Sequence, residues 1–397
     1  MEHIYLIASI WLGLALISAI IAYHLKISIA LVEICVGVIA GTIANHYFGP
    51  ESLSNNAEWL KFISGSGAIF LTFLAGAELD PQSIKIKLKE VSIVGFIGFL
   101  APFVGASLIA YYLLGWDYKA SLLTGIALST TSMAVVYAVM IETGLNSTEF
   151  GKGILGSCFI NDVATVIALG LVFAPFTYKT IIFISVSLVV VFISPYITNH
   201  LTSVYGNRTA AIRVKWISFI LFSLGALALW SGSEAVLPAY IIGMMLAEFA
   251  SKNSQWLRRL RTLTVGFLTP FYFLRAGTIV SLPALISAPL IFIALLLSKV
   301  ISKIFGLYPI ISFFRKEKDE RWYYTLMMST GLTFGTISAL YGYSHGILDI
   351  SQYSFMVITV IASAVVPTII ANFFFLPKRL LPKKVHLTEL KEEIVEE

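Results

Sequence analysis

GKGILGSCFINDVATVIALGLV, residues 151–172, decides how this chain is read. It is long enough to cross a bilayer and almost wholly apolar, yet it carries one carboxylate, Asp162, directly after an amide, Asn161. At roughly 1.5 Å of helical rise per residue, Asp162 lies about 16 Å from Gly151, near the middle of a hydrocarbon layer about 30 Å thick. A charge at that depth costs about 2.5–3.5 kcal/mol on insertion scales, so its presence calls for a function or a partner. A carboxylate is a hard oxygen ligand for a sodium-like ion, and it also titrates. Burial disfavours its charged form and a neighbouring cation favours it. One site holding either a metal cation or a proton, never both, would couple the two fluxes without a separate gate. A structural carboxylate paired with a buried base is the plainer reading of the same residue.

Composition sets the class. The 397 residues are 58% hydrophobic and 12% charged, with a mean hydropathy of +0.87, whereas soluble domains carry about 25% charged residues. This implies an all-α polytopic membrane protein whose main solvent is lipid. The net charge of +5 sits in short loops, where it sets topology, and gives no reason to expect a nucleic-acid partner. Cys35 and Cys158 fall inside apolar segments and suggest no disulfide framework. No cleavable leader, lipidation motif or appended nucleotide-binding domain is visible.

Thirteen hydrophobic segments emerge, at about 4–24, 27–47, 59–77, 91–115, 120–140, 151–174, 177–198, 214–231, 235–250, 263–280, 284–314, 323–343 and 353–376. Backbone groups in lipid must bond internally, so these are read as helices. The run 284–314 is too long for one upright span and is expected to tilt or to extend into water. Loops after segments 1, 3, 5, 7, 9 and 11, with the tail, hold 21 Lys and Arg residues, among them Lys26, Lys85, Arg208, Lys383, Lys384 and Lys391; the opposite loops hold 3, Lys61, Lys119 and Lys179. That asymmetry predicts an external N-terminus, a cytoplasmic C-terminus and a cell-membrane location. Residues 377–397 read as a short charged cytoplasmic tail, acidic at its end (LTELKEEIVEE).

Two segments read as interrupted helices. Segment five carries Ser129, Thr130, Thr131 and Ser132 in one unbroken run, and segment twelve carries Ser329, Thr330, Gly331, Thr333, Gly335 and Thr336. Such residues weaken a helix and can satisfy the backbone groups a break sets free. Close packing through small residues would explain either segment alone. As a pair they say more, because interrupted helices at corresponding places in two halves point to a transport site. A softer echo links FLAGAELDP in segment three with YIIGMMLAEF in segment nine.

The remaining intramembrane polar groups are candidates around Asp162. Asn161 can lend a carbonyl oxygen to an ion or make an interhelical hydrogen bond. Ser157 lies five residues before Asp162, only roughly on the same face. Lys299 and Lys303 share a face of segment eleven. Either can pair with Asp162, or snorkel to the cytoplasm. Arg275 keeps its charge and reads as a fixed counter-charge. Glu33 reads as structural or interfacial. An intramembrane aspartyl protease needs two carboxylates sharing a proton, and Asp80, Asp117 and Asp349 all fall at segment ends or in loops. An enzyme is therefore not expected.

LVEICVGVIAG, FLAGAELDP, STTSMAVV, CFINDVATV, YIIGMMLAE, PFYFLRAGTIVSLP and SKVISKIFG together resemble the monovalent cation:proton antiporter superfamily, of the ND-motif sodium/proton exchanger type. The resemblance implies a single transporter domain over 1–376 with inverted repeats. Dimerisation helices would occupy about 1–77 and 214–280, core helices about 91–174 and 284–376, and a linker helix about 177–198. Segments five and twelve would cross as broken helices beside Asp162. It further implies elevator-type exchange of Na+ (or Li+) for H+ by a homodimer in lipid, with no cofactor beyond the transported ions. By position Asp162 matches the family's ion-binding aspartate. Asn161 has the form associated with electroneutral exchange, Thr131 and Ser132 match the broken-helix motif, and Lys303 is favoured over Lys299 by its spacing from Gly277. Ser157 remains a supporting ligand by proximity. Two departures stand out: Ser132 supplies no second carboxylate, and segment twelve reads STGLTFG where relatives often show Arg or Glu. Potassium/proton exchange by the same fold is the nearest alternative, and a passive channel is a further one.

Overall fold

The computed structural model describes residues 2–25, 28–49, 52–78, 87–145, 148–173, 177–205, 211–231 and 236–381. Asp80, the basic residues Lys26, Lys85, Arg208, Lys383, Lys384 and Lys391, and the sequence LTELKEEIVEE lie outside them. Among the described residues every regular element is helical. They are α1 (Glu2–Leu25), α2 (Ile29–Tyr47), α3 (Glu58–Ala77), α4 (Leu88–Leu108, widened into a π-helical turn over Ile109–Leu113), α5 (Tyr118–Ser129), α6 (Met133–Thr143), α7 (Glu149–Phe173), α8 (Tyr178–Tyr205) and α9 (Ile212–Ser231). There follow α10 (Val236–Met245), α11 (Ala247–Lys252), α12 (Ser254–Leu263), α13 (Thr269–Thr278), α14 (Leu282–Ser287), α15 (Pro289–Ser312), α16 (Lys318–Met327), α17 (Thr333–Ser344) and α18 (Ile350–Phe374).

Nine helices among the described residues are long and apolar enough to cross a membrane: α1, α2, α3, α4 with its π turn, α7, α8, α9, α15 and α18. The other four expected segments are present but interrupted or short. Segment five is divided into α5 and α6, segment nine into α10 and α11, and segment twelve into α16 and α17. Segment ten is α13 joined through a π-helical turn (Thr264–Leu268) to α12, which buries Trp256 and Leu260 and turns Arg258, Arg259 and Arg261 outward. That charged turn hides from a hydropathy reading that the helix begins at Ser254. The overlong run 284–314 is resolved by a break. Ala288 leaves helical geometry at φ −140°, ψ 60°, and Pro289 opens α15, where its missing N–H costs nothing.

Two close helix crossings fix one part of the bundle. A Cβ at Gly37 of α2 would collide with the Leu274 carbonyl oxygen of α13, and one at Gly277 would collide with Ile34 O. Likewise a Cβ at Gly76 of α3 would meet Tyr240 O of α10, and one at Gly243 would meet Phe73 O. Only glycine lets these backbones touch. The echo between segments three and nine is thus a packing partnership, since Gly76 and Gly243 face each other. Around them one apolar cluster joins α1, α2, α3 and α13 through Trp11, Leu60 and Phe271. Another joins α3 to α8–α12 through Phe73, Leu221 and Trp256. A third packs α4, α6, α7, α15 and α16 through Val94, Met140, Ile154, Leu307 and Tyr324.

Loop ends sort by side. Arg315 pairs with Glu90 at 2.7 Å, Lys87 with Glu149 at 3.0 Å, Arg379 with Glu320 at 2.6 Å and Arg261 with Glu78 at 2.7 Å. Each pair joins two segment ends assigned to the same side by the basic-residue count. At the other end Arg275 Nε donates to Asn55 O at 3.0 Å, and Asp349 caps α18 in a reciprocal box with Gln352.

Candidate functional site

The two hydroxyl runs break their helices as the sequence predicts, and they do so by satisfying backbone groups locally. In α5, Ser129 Oγ donates to Ile126 O at 2.7 Å and Thr130 Oγ1 to Ala127 O at 2.9 Å. Thr130 then turns extended, at φ −61°, ψ 149°. Ser132 Oγ accepts from Val135 N at 3.4 Å, as an N-cap does for α6. Beyond α16, Ser329 Oγ donates to Thr325 O at 2.8 Å and Thr330 Oγ1 to Met327 O at 2.8 Å. The two breaks touch, with Ser132 N donating to Thr330 O at 3.2 Å.

Asn161 and Asp162, in the middle of α7, face this crossing differently. Asn161 is fully buried and clasps the break on both sides. Its Oδ1 accepts from Thr131 N at 2.9 Å and its Nδ2 donates to Ser129 O at 3.3 Å. Its side chain makes interhelical hydrogen bonds, and its carbonyl oxygen already has a donor. Asp162 is 2% exposed, and its Oδ1 has no hydrogen-bond partner among the described residues. Almost all buried polar atoms are satisfied in folded proteins, so this orphaned carboxylate oxygen is an exception at the break.

Both lysines of α15 are fully buried and neither snorkels. Lys299 Nζ donates to Thr130 O at 3.1 Å, the carbonyl at the carboxyl end of α5. Lys303 Nζ donates to Thr131 Oγ1 at 2.9 Å, and that hydroxyl donates to Met328 O at 2.7 Å, at the carboxyl end of α16. Half-helices that end inside the bundle leave partial negative charge at their last carbonyls, and the Nζ groups of the two lysines lie at these ends. Neither forms an ion pair with Asp162 among the described residues. Gly331 makes room, since a Cβ there would fall on Lys299 Nζ and lie 3.1 Å from Thr130 Oγ1. Gly331→Ala should therefore break the Lys299–Thr130 bond and cost about 2 kcal/mol, the scale of a hydrogen bond to a charged group. Lys299→Met should cost a similar amount. Unfolding midpoints in detergent should show the double variant costing little more than either single one; full additivity would sink this coupling.

The remaining sequence candidates lie elsewhere. Ser157 Oγ is bonded to Tyr324 OH at 2.7 Å and to Val91 O at 3.3 Å. Arg275 is committed to the Asn55 carbonyl. Glu33 is 2% exposed on α2, away from the break. Met328, Thr130 and Thr330 contribute backbone carbonyls that no residue-type reading selects. Tyr240 of α10 opens the glycine motif YIIGMMLAE, and its hydroxyl is also buried without a partner among the described residues.

The protein called "Probable Na(+)/H(+) antiporter 3" of Methanocaldococcus jannaschii is 29% identical over 59% of this chain and 63% of its own length. A Na(+)/H(+) antiporter of Enterococcus hirae is 24% identical over 91% of this chain and 97% of its own. The glutathione-regulated potassium-efflux system protein KefC of Shigella flexneri is 24% identical over 85% of this chain. The chain thus spans less than two thirds of the length of the first and 55% of the length of the third. The solved structure of the sodium proton antiporter MjNhaP1 from M. jannaschii superposes with a TM-score of 0.69 at 16% identity, covering 94% of this chain and 96% of that one, and so shares its fold. The family described as "Sodium/hydrogen exchanger, transmembrane" matches residues 12–376, nearly the whole sequence. On that match this chain belongs to the transmembrane sodium/hydrogen exchanger family.

Proposed function

We propose that this chain is a secondary active antiporter that exchanges Na+ (or Li+) for H+ at Asp162. The observation that carries the reading is the unpartnered, buried Asp162 Oδ1 beside two touching helix breaks. A proton or a dehydrated monovalent cation each satisfies that oxygen, and one excludes the other. Thr131 and Ser132 would lend oxygens as supporting ligands; the Thr131 hydroxyl, held by Lys303 and Met328 O, and the Ser157 hydroxyl, held by Tyr324 and Val91 O, each have only a remaining lone pair to offer. Lys303 stays with Thr131 and is not exchanged against the cargo, which favours one proton for one cation and hence an electroneutral cycle. Lys299 stands behind it, bonded to the Thr130 carbonyl.

The glycine crossings support inverted repeats, because exchanging segments two with nine and three with ten turns the α2–α13 contact into the α10–α3 contact. They also support a rigid dimerisation part against which a core holding both breaks moves as an elevator. A homodimer in the cell membrane, N-terminus outside, completes the reading. Similarity to a potassium-efflux protein over 85% of the chain keeps K+/H+ exchange as a second reading.

The test is transport by purified protein in proteoliposomes at several clamped voltages. An imposed Na+ gradient should drive protons uphill at a rate independent of voltage. Proton movement driven by K+ alone selects the second reading, and movement only down the proton's own gradient would leave a channel in place of an exchanger.

A further inference from the structure

Tyr240 is 1% exposed on α10. Its ring stacks on Phe159 of α7, with centroids 5.8 Å apart and planes at 22°. It meets Phe334 of α17 edge-on at 5.9 Å. Phe159 stands three residues before Asp162, so both project from one face of α7. The tyrosine hydroxyl has no hydrogen-bond partner among the described residues, and neither has Asp162 Oδ1. Buried hydroxyls of Tyr nearly always find a partner. Here the Tyr240 ring packs on Phe159, on the side of α7 that also carries Asp162, so the two orphaned oxygens belong to helices in direct contact. The tyrosine backbone cannot drift, because its carbonyl lies against Gly76 at the α3–α10 crossing.

We propose that the Tyr240 hydroxyl oxygen is a further ligand for the alkali cation, supplied by α10 to an ion held by Asp162. The proposal rests on Asp162 being the shared site. A dehydrated cation needs several oxygens in place of its water, and a phenol oxygen with a free lone pair is suited to that. A proton on Asp162 needs no such ligand, so Tyr240 discriminates between the two cargoes. Its contribution is to cation affinity more than to turnover.

Tyr240→Phe keeps the ring contacts with Phe159 and Phe334 and removes a hydroxyl that bonds nothing, so the fold should be undisturbed. In proteoliposomes the apparent KM for Na+ should rise roughly fivefold or more, on the scale of one lost polar contact, with a smaller change in maximal rate. Thermal stabilisation of the detergent-solubilised protein by added NaCl, against choline chloride at equal ionic strength, should shrink in parallel. An unchanged or lowered KM with unchanged stabilisation would overturn the proposal. Asp162→Asn in the same melting assay tests the parent reading separately. If that variant keeps the full Na+ stabilisation, the shared site itself is misplaced, whatever Tyr240→Phe does.

Discussion

Asp162→Asn is expected to abolish coupled exchange while leaving the protein folded. The amide has nearly the shape of the carboxylate and retains one carbonyl oxygen, so a weak cation contact survives. It carries no charge and does not titrate near neutral pH, so it cannot release a proton when a cation arrives. The drop in Na+-driven proton flux should be at least about a hundredfold, which corresponds to about 2.7 kcal/mol of barrier. Stability should not follow activity down. Asp162 Oδ1 makes no hydrogen bond among the described residues, so the substitution breaks no contact there, and a neutral amide is cheaper to bury than a carboxylate. The unfolding midpoint should hold or rise. Asp162→Glu makes the complementary case, keeping the titrating group but moving it by one methylene, and should retain slow exchange. Flux at the normal rate in the Asn variant, in protein that elutes as a single folded species, would end the reading of Asp162 as the carrier.

Much of the fold was legible because lipid constrains it so tightly. Length, apolarity and the placement of Lys and Arg located every segment, and the hydroxyl runs at Ser129–Ser132 and Ser329–Thr330 announced both breaks. Legibility failed where charge or geometry overrode apolarity. α12 extends a helix with an Arg-rich turn that hydropathy discards, and Ala288–Pro289 divides a run that looks continuous. At the candidate site, the cost of a carboxylate in lipid was enough to single out Asp162, which is buried in the structure. Five residues rotate a side chain by about 140° around a helix, and Ser157 accordingly meets Tyr324. Arg275 shares the depth of a buried base but belongs to the other end of the bundle, at Asn55. The spacing of Lys299 and Lys303 put both on one face without showing that each answers a different half-helix. Tyr240 left no trace, because an aromatic in an apolar helix is unremarkable until its hydroxyl is seen to lack a partner.

Asn161 is where the structure most changes what a substitution should do. If it were chiefly a cation ligand, Asn161→Ala would raise the apparent KM for Na+ and leave the unfolding midpoint alone. As a clasp it does something else. Removing it strands the Thr131 N–H and the Ser129 carbonyl in the membrane interior, and each buried group left unsatisfied costs about 1–3 kcal/mol. A loss of about 2 kcal/mol or more is expected even if one of the two finds a new partner. Transport should fall with it, by tenfold or more, since Thr131 also holds Lys303 and Met328 O in register. Asn161→Asp separates the two halves of the clasp. A carboxylate still accepts from Thr131 N but has no hydrogen to offer Ser129 O, and it sets a second negative charge beside Asp162. That variant should be less destabilised than the Ala variant if the Thr131 contact dominates, yet equally poor in transport because like charges contend for one cation and one proton. Parallel melting curves and Na+ titrations of the two variants decide the matter: a midpoint that stays fixed while KM climbs would return Asn161 to the ligand set, and a midpoint that falls together with rate assigns it to the scaffold that holds the break open.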